Sequence, residues 1–230
     1  MVAHHPDSRF LTDYAAGTLT LSEAVCVAAH LHFCGRCRAR VQQLTDIGSH
    51  LFAGLQTREL TPEPGEFEQL MARIDAEGGE AGPRKAPSVS AEQEPGRLPG
   101  VVRSLIGGEQ LNQLEWVEMG NVLRIAPVAL DDADRQTAIY DIPAGRCMPE
   151  HEHRGEEISV LLQGSFSDAD GKYEEGDFVV RHAGESHQPT ATQDGNCICL
   201  VSLEQPVRPR SFWYRLLEPW INYRLDQVAN

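Results

Sequence analysis

Positive charge is scarce in this 230-residue chain: 20 Lys and Arg stand against 34 Asp and Glu, for a formal net charge of −14. The deficit is general, at −4 over residues 1–77 and −10 over residues 101–230, and neither stretch carries a basic patch. A protein that binds nucleic acid directly needs such a patch to neutralise phosphates, so that class is excluded. An acidic surface suits a basic protein partner instead. The first ten residues, MVAHHPDSRF, lack the apolar core of a secretion signal. No apolar run approaches the roughly 20 residues of a membrane-spanning helix. The chain is therefore read as cytoplasmic and free of membrane. Disulfide frameworks are not expected there, so its six cysteines point to metal or redox use.

Proline and glycine crowd into residues 78–100, GGEAGPRKAPSVSAEQEPGRLPG, which show no apolar periodicity. This reads as a flexible linker between a first unit, residues 1–77, and a second, residues 101–230. No packing is expected to cross it. The first unit is helical. Phe10, Leu11 and Tyr14 recur at helical spacing from Ser8 to Ala16, and Gly17 can end that helix. Thr20 and Glu23 form a capping box that opens a second helix running to about His32. Val41, Leu44, Ile47, Leu51 and Leu55 mark a third. Phe67, Leu70, Met71 and Ile74 mark a fourth, separated by Thr61-Pro-Glu-Pro-Gly65. Most of these stripes are expected to be core; the fourth helix is the one expected to detach for partner contact.

Four short helices bury a modest core, and units of that size often rely on a metal. His30-x3-Cys34-x2-Cys37 places an imidazole and two thiols near one helix end, a donor set that suits zinc. A fourth ligand must come from outside, and His4 or His5 supplies it. His32 lies about 200° round the helix from His30 and is expected to be solvated.

In the second unit, Gly145-x5-His151-x-His153-x3-Glu157-x6-Gly164 meets every spacing of the first cupin motif. Gly176-x7-Gly184-x2-His187 supplies most of the second, although His182 stands where proline is usual and Ala191 where asparagine is. On an extended strand His151 and His153 face one way and Glu150 and Glu152 the other. Joined by Glu157 and His187, they form a mixed N/O site suited to Zn, Mn, Fe or Ni. Glu156 and His182 are rivals that lose on spacing. Cys197 and Cys199 share a strand face and read as buried apolar side chains. Cys147 lies roughly 13 Å along the strand from His151, too far to ligate. Trp116, Trp213 and Trp220 read as core or interface residues. The aromatic tail RSFWYRLLEPWINYR would pack on the barrel or on another chain.

His5…His30-x3-Cys34-x2-Cys37, then a linker and a cupin half, resembles the ChrR-type zinc-binding anti-sigma factors along nearly the whole chain. LTDYAAGTL at residues 11–19, CGRCRAR at 34–40 and CICL at 197–200 carry the likeness. The resemblance implies an α+β multidomain fold, with a zinc-stabilised helical domain followed by an all-β cupin barrel (double-stranded β-helix). It implies zinc on His5, His30, Cys34 and Cys37, with His5 preferred over His4 by its distance from LTDYAAGTL. It implies a heterodimer with an extracytoplasmic-function (ECF) sigma factor held inactive by the helices. The cupin half would bind zinc through His151, His153, Glu157 and His187 and sense singlet-oxygen or peroxide stress. Cys147 is a departure from the family's pattern. The rival reading is a cupin dioxygenase or isomerase, against which stands the lack of a separate acid–base pair.

Overall fold

The computed structural model describes residues 2–55, 65–77 and 97–209. Most of the expected linker lies outside them, as does the aromatic tail with Trp213 and Trp220. The helices are α1 (Ser8–Ala16), α2 (Leu21–Phe33), α3 (Gly35–Ala53), α4 (Glu66–Glu77) and α5 (Gly100–Ile106). Their ends follow local chemistry. The Asp7 side chain caps α1 by accepting from Phe10 N, and Gly17 closes it at φ 70°. Both arms of the Thr20–Glu23 capping box form at the start of α2. Cys34 ends α2 and caps α3, its Sγ accepting from Cys37 N.

Twelve antiparallel strands follow among the described residues. A six-stranded sheet in the order β1-β2-β3-β11-β5-β8 faces two three-stranded sheets, β10-β6-β7 and β12-β4-β9. Their ranges are β1 (Val117–Met119), β2 (Leu123–Val128), β3 (Gln136–Ile142), β4 (His151–Glu152), β5 (Glu157–Gln163) and β6 (Ser165–Ser167). After them come β7 (Lys172–Glu174), β8 (Phe178–Arg181), β9 (Ser186–His187), β10 (Thr190–Ala191), β11 (Cys197–Leu203) and β12 (Arg208–Pro209). The expected helical unit followed by a cupin barrel is what the chain forms.

β5 is buried at six of its seven positions and β11 at all seven. A strand with one wet face alternates; these do not, because both faces are covered. Inside the barrel, Leu161, Phe166, Tyr173, Cys197, Cys199 and Val201 pack together. Outside, Ile158, Val160, Leu200 and Phe178 join Phe10, Leu11, Val25 and Ala29 of α1 and α2 in one buried cluster. The helical unit therefore roofs the large sheet, and the expectation that no packing joins the two halves is corrected. Polar links reinforce the contact. Ser22 N donates to Asp132 Oδ2 at 3.0 Å, and Thr137 Oγ1 donates to Ser22 Oγ at 3.0 Å. The Arg135 guanidinium, 3% exposed, lies 3.7 Å from Glu23 of α2 and 3.4 Å from both Glu156 and Glu204.

The stripe on α3 also needs correcting. Val41 and Leu44 pack against the core, but Ile47, Leu51, Phe52 and Leu55 are 54–77% exposed. The reason is length: the 19 residues of α3 span about 28 Å, whereas the nine of α1 beneath it span about 13 Å. Its far half outruns its support. Phe67, Leu70, Met71 and Ile74 of α4 are likewise exposed. His32, expected to be solvated, is half-buried with its ring 4.9 Å from that of Phe33.

Candidate metal centres

Two clusters of metal-ligand residues occur among the described residues. The first draws on three elements. His30 sits in the last turn of α2, Cys34 at the α2–α3 corner, Cys37 in the first turn of α3, and His5 on the segment before α1. One potential ligand atom from each lies within 4.8 Å of the others. His5 Nδ1 is 3.4 Å from Cys34 Sγ and 3.5 Å from Cys37 Sγ. His4 turns away, its Nδ1 3.3 Å from Asp177 Oδ2. His30 Nδ1 lies 2.7 Å from the Gly176 carbonyl, which can only accept. His30 must therefore carry its proton on Nδ1, leaving the Nε2 lone pair buried without a hydrogen-bond partner among the described residues.

Burial pushes the His30 pKa down to about 4, and lowers that of His5 too. Both imidazoles are thus available as neutral ligands. Burial and the neighbouring Cys34 push the Cys37 thiol up to about 12. A divalent cation reverses that effect, since it deprotonates a coordinating thiol outright. Two thiols and two imidazoles, one with an orphaned lone pair, fit a tetrahedral metal ion.

The second cluster lies inside the barrel. His151 on β4 pairs in register with His187 on β9, His153 follows directly after β4, and Glu157 opens β5. The three imidazole ligand atoms fall within 4.8 Å of one another. The neighbours of His151 and His187 fix their orientation. His151 Nδ1 donates to Pro149 O at 2.9 Å, and His187 Nδ1 bonds Asp168 Oδ2 at 3.0 Å. Their Nε2 atoms are thereby turned toward each other, 3.0 Å apart. Two lone pairs at that distance repel unless a proton or cation sits between them. His153 is 1% exposed, and neither ring nitrogen has a hydrogen-bond partner among the described residues. Its Nδ1 is 3.5 Å from Glu157 Oε2. This is no ion pair: burial, with His151 and His187 adding to it, pushes His153 down to about 3. Burial raises the pKa of Glu157, opposed by His151 and by the Ser159 hydroxyl. His187 is brought to about 4, again chiefly by burial. The set is chemically fit to hold a divalent metal.

Its rivals lie elsewhere. Glu156 turns to Arg135, and the His182 side chain is 67% exposed. Cys147 is exposed on the isolated bridge to Thr190. Cys197 and Cys199 are buried with their sulfurs 3.6 Å apart. The Cys197 thiol and burial raise Cys199 well above the ordinary thiol range, so the Cys199 thiol stays protonated, and both side chains serve as packing. Trp116 is half-buried and donates to Leu111 O.

One residue that matters here escaped the sequence. The Asp168 side chain is shielded from solvent and holds His187 from behind, while Arg181 bonds the same oxygen at 2.7 Å. Burial works against its charge, but the bonds from His187 and from Asp170 N, with the Arg181 charge, keep its pKa below the usual value. Ligating imidazoles commonly lean on such a carboxylate. No spacing announces it, because the partner arrives from another strand. Asp168→Ala should weaken metal binding at the barrel site 10- to 100-fold, as measured by chelator competition; unchanged affinity would remove Asp168 from the site.

The space beside the metal residues is small. A cavity of about 40 Å³ is lined by His151, Glu157, His187, Met148 and Cys199. That admits water-sized species. An open depression outside His187 and Asp168 is lined mainly by polar residues and lacks the apolar walls of a substrate pocket.

A helical unit bearing a Cys/His cluster roofs a cupin-like barrel with a buried His triad. Known proteins share this arrangement. A family model described as the ChrR cupin-like domain matches residues 108–207. The anti-sigma-E factor ChrR of Cereibacter sphaeroides is 31% identical over 219 residues, covering 95% of this chain and 98% of the relative. The crystal structure of Rhodobacter sphaeroides SigE in complex with the anti-sigma ChrR superposes with a TM-score of 0.71 at 28% identity, covering 88% of this chain and all of that one. An RmlC-like cupin protein from Ralstonia eutropha reaches a TM-score of only 0.38 at 21% identity, over 50% of this chain and 83% of its own. That likeness is too weak to bear on function. The chain belongs to the ChrR family of anti-sigma factors. The enzyme reading is set aside.

Proposed function

We propose that this chain holds an ECF sigma factor in an inactive heterodimer in the cytoplasm, and that its barrel senses oxidative stress such as singlet oxygen or peroxide. Labour divides as residues 1–77 for inhibition, 78–100 as linker, and 101–230 for sensing, without direct contact to nucleic acid. The observation that carries this is the run of exposed apolar side chains on the far half of α3, Ile47, Leu51 and Phe52, with Leu55 just beyond its end. Among the described residues nothing covers it, and an amphipathic helix of this kind fits an apolar groove on a partner.

In this reading His5, His30, Cys34 and Cys37 bind zinc, the metal that a closed Cys2His2 set favours. Bound there, zinc joins the N-terminal segment, the end of α2 and the start of α3, and adds directly to folding free energy. His151, His153, Glu157 and His187 hold the second metal, zinc by preference, with manganese, iron and nickel compatible with N/O donors. No helix among the described residues is long and apolar enough to cross a membrane.

Affinity purification of the tagged chain from its own cells should yield a one-to-one complex with an ECF sigma factor, identified by mass spectrometry. The purified protein should carry about two metal ions per chain. Absence of any sigma factor would sink the proposal, and one ion or fewer would sink the two-centre version.

A further inference from the structure

The segment that carries His5 is tied to the barrel. Ala3 N and His4 N both donate to Asp177 Oδ1, at 2.8 and 3.0 Å. The His4 ring nitrogen lies 3.3 Å from Asp177 Oδ2, and Phe178 N returns a bond to His4 O at 3.1 Å. The His4 ring also stands 4.7 Å from that of Tyr173. One residue before Asp177, the Gly176 carbonyl takes the Nδ1 proton of His30. A single turn of the other unit thus orients His30 and anchors the backbone just before His5.

The approach is close. Gly176 has φ 89°, a conformation that glycine adopts without strain. A Cβ there would lie 2.6 Å from Phe33 Cβ and 2.8 Å from Val2 Cγ2, so any larger residue would push the helical unit off the turn. A purely local role for Asp177 would be to close its own turn, and its bond from Glu174 N at 2.9 Å does that. That accounts for one contact. The bonds to Ala3 and His4 reach the other unit, and a buried carboxylate, 1% exposed, satisfies them.

We propose that Asp177 and the Gly176 carbonyl are positioning groups of the N-terminal metal centre, which makes its metal affinity conditional on the barrel staying docked. Asp177 holds the backbone beside His5, and the Gly176 carbonyl sets the tautomer and ring direction of His30. The coupling is reciprocal. Metal at the first centre holds the barrel against the helices. Displacing the turn frees both imidazoles and leaves only Cys34 and Cys37 fixed by their helix. The inference rests on the reading of His5, His30, Cys34 and Cys37 as a metal centre.

The test uses the full chain loaded with cobalt. Among the two ligand sets only the first contains sulfur, so the thiolate-to-cobalt absorption band reports on it alone. Asp177→Ala should weaken metal binding at that centre 10- to 100-fold in chelator competition and alter the band, with barrel-site affinity unchanged. Asp177→Asn, which keeps one carbonyl oxygen for Ala3 N and His4 N, should lose much less. Wild-type affinity and an unaltered band in Asp177→Ala would overturn the inference. A second measurement avoids substitution at the turn. In His187→Ala protein, stripping metal from the N-terminal centre should abolish hydrogen-exchange protection of the Phe178 amide; unchanged protection would also overturn it. Failure of the underlying reading looks different: unsubstituted protein would then show no thiolate-to-cobalt band at all.

Discussion

Alanine at His30, Cys34 or Cys37 should leave sigma-dependent transcription running at its uninhibited level, with or without stress. The expected cause is local release of α3. Cys37 is the only buried residue of that helix, so a metal shared by Cys37 and Cys34 would add a strong fastening to the contact that α3 makes with α1. Structural zinc contributes about 10–16 kcal/mol of apparent binding free energy, far beyond what the few contacts of Val41 and Leu44 replace. α1 and α2 should stay folded, because the sheet beneath them supplies their core. Alanine at His151, His153, Glu157 or His187 should do the opposite: inhibition persists, and singlet oxygen no longer relieves it. A reporter on the cognate promoter, with and without the oxidant, reads both sets. Constitutive activity in both sets would mean that the two centres do not divide inhibition from sensing.

The second large effect is expected at the bare end of α3. Leu51 is 69% exposed and Phe52 77% exposed, so Leu51→Asp and Phe52→Asp remove almost no intramolecular packing. Surface changes of this kind normally shift stability by no more than about 0.5 kcal/mol. Buried in a sigma-factor interface, the same side chains become candidate hot spots, each worth about 2 kcal/mol or more. The double variant should therefore bind the sigma factor at least about 100-fold more weakly, with its melting temperature nearly unchanged; tenfold corresponds to about 1.4 kcal/mol. Calorimetry and thermal melting separate the two quantities. Full-strength binding by the double variant would move the interface elsewhere on the molecule.

Local chemistry was legible in the chain where one short stretch carries it. Gly17 and the Thr20–Glu23 box set helix ends through bonds spanning three or four residues, and the end of α1 and the start of α2 follow from them. The metal-type clusters are partly local as well, since His30, Cys34 and Cys37 share one helical corner and His151, His153 and Glu157 one strand region. Choosing between His4 and His5 was not local: the residues left both open, and Asp177, more than 170 positions away, draws His4 aside. Asp168 was hidden for the same reason. The stripe on α3 misled in another way. An apolar face has the same period whether it meets the protein's own core or a foreign surface, and only the relative lengths of α1 and α3 decide between them.

The double-sided burial of β5 and β11 bears on how the molecule can be taken apart. Ile158, Val160 and Leu200 are wholly shielded, and their shield is made of α1 and α2. A barrel cut free of its roof would present a greasy wall to water, with the strands already aligned for self-association. The helices, for their part, would lose the floor on which Phe10 and Val25 rest. Separating these halves as independent cassettes would require redesigning the seam between them.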